Sequence, residues 1–170
     1  LARICEETYQ ELLKSNPDAV RPVYIVGSEV PIPGGAKEEG AGMQVTRVED
    51  FKATVKTFEE AFLAEGLKDT WKDVMGVVVQ PGVEEKDDGC TEYDRSKAAD
   101  LMTSIKEYPN LIFEGHSTDY QTKFKLRELI EDGVGILKVG PGLTYGMREA
   151  LFALANIEAA VYHGREDELS

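Results

Sequence analysis

The sequence predicts an α/β fold built on a parallel sheet, and three observations predict it. Short β-branched runs alternate with stretches of helical periodicity along the chain, the pattern of strands joined by helical crossovers. The run Val74-Met75-Gly76-Val77-Val78-Val79 is apolar at consecutive positions, as a strand covered on both faces requires. Polar residues and glycines gather directly after the strand-like runs, most densely from Glu114 to Gln121. In parallel α/β folds the ends of strands are where ligands bind.

The elements follow in order. Leu1, Ile4, Cys5, Tyr9, Leu12 and Leu13 form a helical pattern, which stops near Asn16-Pro17 because a residue before proline is pushed out of the α region. The chain opens inside that pattern and without Met, so a fragment of something larger is expected. Val23-Tyr24-Ile25-Val26 reads as a buried strand, followed by Gly27-Ser28-Glu29 and a loop. Thr46-Arg47-Val48-Glu49 matches a capping box. Val48, Phe51, Val55, Phe58 and Phe62 then recur on one helix face, and Gly66 sits at the expected C-terminal cap.

After the Val74–Val79 strand comes the turn Gln80-Pro81-Gly82, and Glu84–Asp88 reads as an acidic loop. A helix from Asp94 to Tyr108 turns Ala98, Leu101, Met102 and Ile105 inward. Strand Leu111–Phe113, helix Thr122–Asp132, strand Gly135–Val139 and helix Tyr145–Ala160 complete the series. A helix followed by four βα units is compatible with half of a (β/α)8 barrel or with a small doubly wound sheet.

Bulk properties narrow the function. A chain of 170 residues supports one core but falls short of the roughly 250 residues of a whole (β/α)8 barrel. With 32 acidic against 19 basic residues and a net charge of -13, it would repel a nucleic-acid backbone, and no nucleic acid is expected as partner. A local basic spot can still hold a small phosphorylated ligand, since screening confines surface charge to about 10 Å. Cys5 and Cys90 form no CxxC pair, which fits two reduced thiols in a cytoplasmic protein. No apolar run reaches the ~20 residues of a membrane span, so no membrane association is expected. Neither GxGxxG nor GxxxxGK[ST] occurs, which leaves dinucleotide binding and P-loop chemistry unsupported.

Candidate site residues lie at the strand ends. Glu29 could orient a substrate hydroxyl or hold a metal, or simply cap its loop. Gln80 offers an uncharged amide that both donates and accepts. Glu114, His116, Ser117, Asp119 and Gln121 crowd one strand end, where a carboxylate could fix the tautomer of His116 for acid/base work. No metal site is expected, because a second well-placed histidine is missing. Lys138 points to the face opposite its neighbours Leu137 and Val139. If that face is a barrel interior, the amine is desolvated and becomes either a nucleophile or half of a buried Lys–Glu pair. Gly140, Gly142 and Thr144 precede the last helix, where backbone N–H groups can bind phosphate; Thr144 could equally be an N-cap.

Val23–Gly35 (VYIVGSEVPIPGG), Val77–Val83 (VVVQPGV), Glu114–Thr122 (EGHSTDYQT) and Ile136–Glu158 together resemble the non-catalytic subunit of D-tagatose-1,6-bisphosphate aldolase. That family is the accessory partner of a class II aldolase subunit, and its members have also been labelled tagatose-6-phosphate kinase. The resemblance covers most of Val23 to Glu158 and implies the C-terminal half of a TIM barrel, strands five to eight with their helices, as a single domain over residues 1–170. It implies a protein that stabilises and promotes a catalytic subunit cleaving tagatose 1,6-bisphosphate to dihydroxyacetone phosphate and glyceraldehyde 3-phosphate. The implied partners are that subunit and a sugar phosphate, with no cofactor.

The family is itself similar to the zinc-dependent subunit. Laid on this sequence without gaps, the zinc-binding histidines of that subunit fall on Val83 and Glu114, and its catalytic asparagine on Lys138. The barrel is then kept and the zinc chemistry lost or changed. Glu29, Gln80, Ser117, Gln121, Gly140, Gly142 and Thr144 would bind substrate. In the alternative, an enzyme in its own right, His116 serves as acid/base beside Asp119 or Glu114, with Lys138 as electrophile or Schiff-base amine. A kinase would need a nucleotide site, for which these residues offer nothing.

Overall fold

The computed structural model describes residues 1–27, 44–86 and 89–163. Two compact units divide it, Leu1–Lys138 and Val139–Ser170. The first begins with helix α1 (Ala2–Ser15), strand β1 (Tyr24–Val26), helix α2 (Val48–Ala64) and the single turn α3 (Lys68–Trp71). Strand β2 (Val74–Val79) follows, then a hairpin of β3 (Glu84–Lys86) and β4 (Gly89–Thr91), and helix α4 (Arg95–Ser104). A 3-10 turn at Ile105–Glu107 leads to β5 (Ile112–Gly115), α5 (Lys123–Glu131) and β6 (Val134–Leu137). The second unit carries α6 (Pro141–Val161).

The sheet runs β1-β2-β5-β6, and every neighbouring pair is parallel. Strands adjacent in the sheet are joined through helices, as parallel pairing demands. The expected α/β class with a parallel sheet is therefore present. Phe113 of β5 faces α2, where its ring meets Phe51 edge-on at 5.1 Å. Phe51, Val55 and Phe62 supply the buried stripe of α2, and Ala98, Leu101 and Met102 that of α4. Leu129 does the same from α5. Alternation puts Glu114, the next residue after Phe113, on the opposite face of the sheet.

Helix ends obey local chemistry. Asp94 caps α4 by accepting from the Ser96 amide, and Thr122 caps α5 by accepting from Lys125. The capping box expected at Thr46 is absent. Arg47 is the N-cap, while the Thr46 hydroxyl accepts from the Gln80 amide at 2.8 Å and the Thr46 amide donates to the Gln80 carbonyl at 2.9 Å. Thr46 thus extends β2 rather than closing a helix, because the buried backbone of Gln80 also requires partners.

Three other expectations change. The acidic loop is in part a hairpin, with Glu84–Lys86 paired antiparallel to Gly89–Thr91. Strand β6 stops at Leu137, one residue short of Lys138. Helix α6 starts at Pro141, not Tyr145, because proline is preorganised for the first helical position. Thr144 consequently lies inside the first turn and donates its hydroxyl to the Gly140 carbonyl at 3.1 Å. Along α6, Leu143, Met147, Leu151, Leu154 and Val161 are all more than half exposed.

Gly27 ends β1 with φ of 143°, and a Cβ there would lie 2.8 Å from Val78 Cβ and 2.9 Å from Val78 N. Gly27→Ala is expected to destabilise the chain by about 2–4 kcal/mol through strained φ and overpacking. Urea unfolding measures this, and a loss below ~0.5 kcal/mol, typical of a surface substitution, would show that the close approach is not a constraint.

Candidate functional site

The C-terminal ends of β5 and β6 bring three of the expected residues together. Glu114 lies on β5, and its side chain is only 4% exposed. His116 follows two positions later on the same face and places Nε2 2.7 Å from Glu114 Oε1. Lys138, just beyond β6, places Nζ 3.4 Å from that same oxygen. One buried carboxylate oxygen thus receives both cation-capable groups. Strand pairing makes this possible: Glu114 is level with Ile136, and Lys138 shares the face of Ile136.

The chemistry of this cluster follows from its donors. A carboxylate only accepts hydrogen bonds, so the proton of the contact resides on Nε2, and in a neutral ring Nδ1 is the basic nitrogen. Lys138 is not the desolvated amine considered from sequence, since its side chain is 60% exposed. Lys138 lies one residue beyond the end of β6. An exposed ammonium beside an imidazole suits the recognition of an anionic oxygen better than it suits nucleophilic attack.

The remaining candidates are placed elsewhere or serve the backbone. The carboxamide oxygen of Gln80 accepts from the amides of Gly82 and Val83 at 2.8 and 2.9 Å, closing the turn after β2. Gln121 is buried; its oxygen accepts from the Tyr93 amide and its nitrogen donates to the Thr91 carbonyl, both at 2.9 Å. Asp119 interacts with Glu85 of β3. Ser117 turns the chain with φ of 56°. Gly140, Gly142 and Thr144 belong to the second unit, and Glu29 lies outside the described residues. Among the described residues, no group of three or more His, Cys, Asp and Glu could hold a metal ion. Val83, where the resemblance aligns a zinc ligand, is wholly buried and has no ligating atom.

Two participants escape the sequence reading. Thr118, fully buried, donates its hydroxyl to the Lys138 carbonyl at 2.9 Å. Its place in the two-residue series Glu114, His116, Thr118 is the signal that could have marked it. Glu85 was hidden by reading its strand as loop. Burial pushes the Glu85 carboxyl upward, and hydrogen bonding to Asp119 and the charge of Asp119 push it further the same way.

A four-stranded parallel sheet with helical connections places the chain among the α/β proteins. The model of the D-tagatose-1,6-bisphosphate aldolase subunit GatZ/KbaZ-like family matches residues 1–169, and the chain belongs to that family. The crystal structure of a probable tagatose 6 phosphate kinase from Sinorhizobium meliloti 1021 is similar in fold, with a TM-score of 0.73 and 40% sequence identity. That match covers 97% of this chain and 38% of the other, so the chain spans well under half of its structural relative. Among the described residues, no helix is long and apolar enough to cross a membrane.

The raised Glu85 carboxyl carries a pH dependence. Its folded value lies above the unfolded one, so its contribution to stability is full below the ordinary carboxylate range and is lost as pH rises through the raised value. Glu85→Gln should therefore raise the melting temperature above neutrality by about 2–4 °C and give little at pH 4. An equal effect at both pH values would show that the pair does not share a proton.

Proposed function

We propose that the chain is part of an accessory subunit that stabilises and promotes a class II tagatose-1,6-bisphosphate aldolase, and that Glu114, His116 and Lys138 line a sugar-phosphate pocket. The observation that carries this reading is the single buried oxygen of Glu114 shared by His116 and Lys138. That contact occupies the carboxylate at the position where the catalytic subunit's pattern has a zinc-binding histidine. An ammonium and an imidazole around one fixed carboxylate can hold a phosphate or hydroxyl oxygen without breaking a bond. Family membership supports the partner, a catalytic aldolase subunit.

The sheet is best taken as the C-terminal half of a (β/α)8 barrel, with β1, β2, β5 and β6 as strands five to eight. Its consecutive parallel order supports this, as does the 38% coverage of the longer relative. The pocket would then open at the catalytic rim of the whole barrel.

A second reading rests on the 2.7 Å contact of His116 with Glu114, which is the geometry of a base and its orienting carboxylate. In that case the protein turns over a phosphorylated ketose itself, with His116 moving the proton.

Mixing the chain with a class II catalytic subunit separates the two. The first reading expects no cleavage of tagatose 1,6-bisphosphate by the chain alone, and higher activity or slower thermal inactivation of the catalytic subunit in its presence. Calorimetry should detect the bisphosphate binding to the chain, and Lys138→Ala should weaken it by about tenfold, as loss of a charge-assisted contact does. Cleavage by the chain alone, abolished in His116→Ala, would replace the first reading by the second. No effect on the partner and no turnover would remove both.

A further inference from the structure

Lys138 stands where regular structure gives out. β6 ends at Leu137, yet the backbone of Lys138 is held at both ends. Its amide donates to the Gly115 carbonyl at 2.9 Å. Its carbonyl accepts the Thr118 hydroxyl at 2.9 Å, and the Thr118 amide approaches it at 3.5 Å. Thr118 is aimed by an unusual backbone: Ser117, at φ of 56°, is the only non-glycine with positive φ among the described residues. Such a conformation costs a side-chain-bearing residue of order 1–3 kcal/mol and persists where surrounding contacts impose it.

The turn has a geometric effect. It lets His116 fold back onto Glu114, two residues behind, while the next residue but one reaches across to the neighbouring strand. The Lys138 side chain is 60% exposed and its Nζ lies 3.4 Å from Glu114 Oε1, so the main-chain anchor sets the reach from which the ammonium makes that ion pair.

We propose that Thr118 is a positioning residue for this site. Its hydroxyl, presented by the left-handed turn at Ser117, fixes the main chain of Lys138 and so keeps the ammonium beside Glu114 and His116. Thr118 touches no ligand and acts through Lys138 alone. The ligand-binding part of this inference rests on the sugar-phosphate reading of the cluster; the placement of Lys138 does not.

The test is a double-mutant cycle read by calorimetry with tagatose 1,6-bisphosphate and by the carboxyl carbon resonance of Glu114. Thr118→Val should weaken binding by about tenfold and Thr118→Ser by less than about twofold, while Thr118→Val added to Lys138→Ala should change nothing more. The Glu114 resonance should move in Thr118→Val in the same direction as in Lys138→Ala and stay put in Thr118→Ser. A further loss of affinity in the Lys138→Ala background, or an unmoved Glu114 resonance in Thr118→Val, would overturn the proposal. If the unmutated chain binds no bisphosphate, the pocket reading fails, and the resonance alone decides whether Thr118 places Lys138. Should Thr118→Val not fold, Thr118→Ala carries the same comparison. Loss of fold in both, with Thr118→Ser intact, would make the residue merely structural and also overturn the proposal.

Discussion

A carboxylate with almost no exposure governs the end of this sheet. Glu114 sits on the interior strand β5, and its burial is tolerable because His116 and Lys138 both approach one of its oxygens. Lys138 reaches that oxygen from the end of β6, so the pairing of β5 with β6 brings an ion pair together as well as backbone hydrogen bonds. His116 directly follows β5 and is two residues from Glu114. Lys138 directly follows β6 and needs register. The site is therefore a product of sheet topology, with one partner fixed by local sequence and the other by tertiary pairing.

Elsewhere along the rim, polar side chains stabilise irregular backbone. Gln80 closes the turn after β2, Gln121 ties the chain after β4 to the loop after β5, and Thr46 lengthens the ladder at Gln80. Each satisfies amides or carbonyls that leave regular structure while still shielded from water, which would otherwise remain unpaired at a cost. A strand end that exposes a few chosen groups must first silence the rest. Several residues with the composition of ligands therefore do the work of caps.

This division explains what the sequence made legible. The α/β class and most helices follow from periodicity alone: the apolar run Val74–Val79, the Phe51-Val55-Phe62 stripe and the caps Asp94 and Thr122 all emerge as the local rules require. The convergence of Glu114, His116 and Lys138 was partly legible, because parity along two strands determines their shared face. Whether Lys138 would be enclosed was not, since exposure depends on where β6 ends. Asp119 illustrates the limit. Its nearness to His116 in sequence says nothing of its interaction with Glu85, which sits on the β3–β4 hairpin. Thr46 failed for a related reason: a capping-box sequence describes a local contest, and the demand of Gln80 at the end of β2 wins it.

Helix α6 has a consequence for the life of the chain in a cell. Its 21 residues hold only three charged side chains, Arg148, Glu149 and Glu158, and its leucines and aromatics face water. Surfaces of this sort attract chaperones and quality-control proteases, which triage proteins by accessible apolar segments. The abundance of the chain would then be tied to whatever shelters that helix.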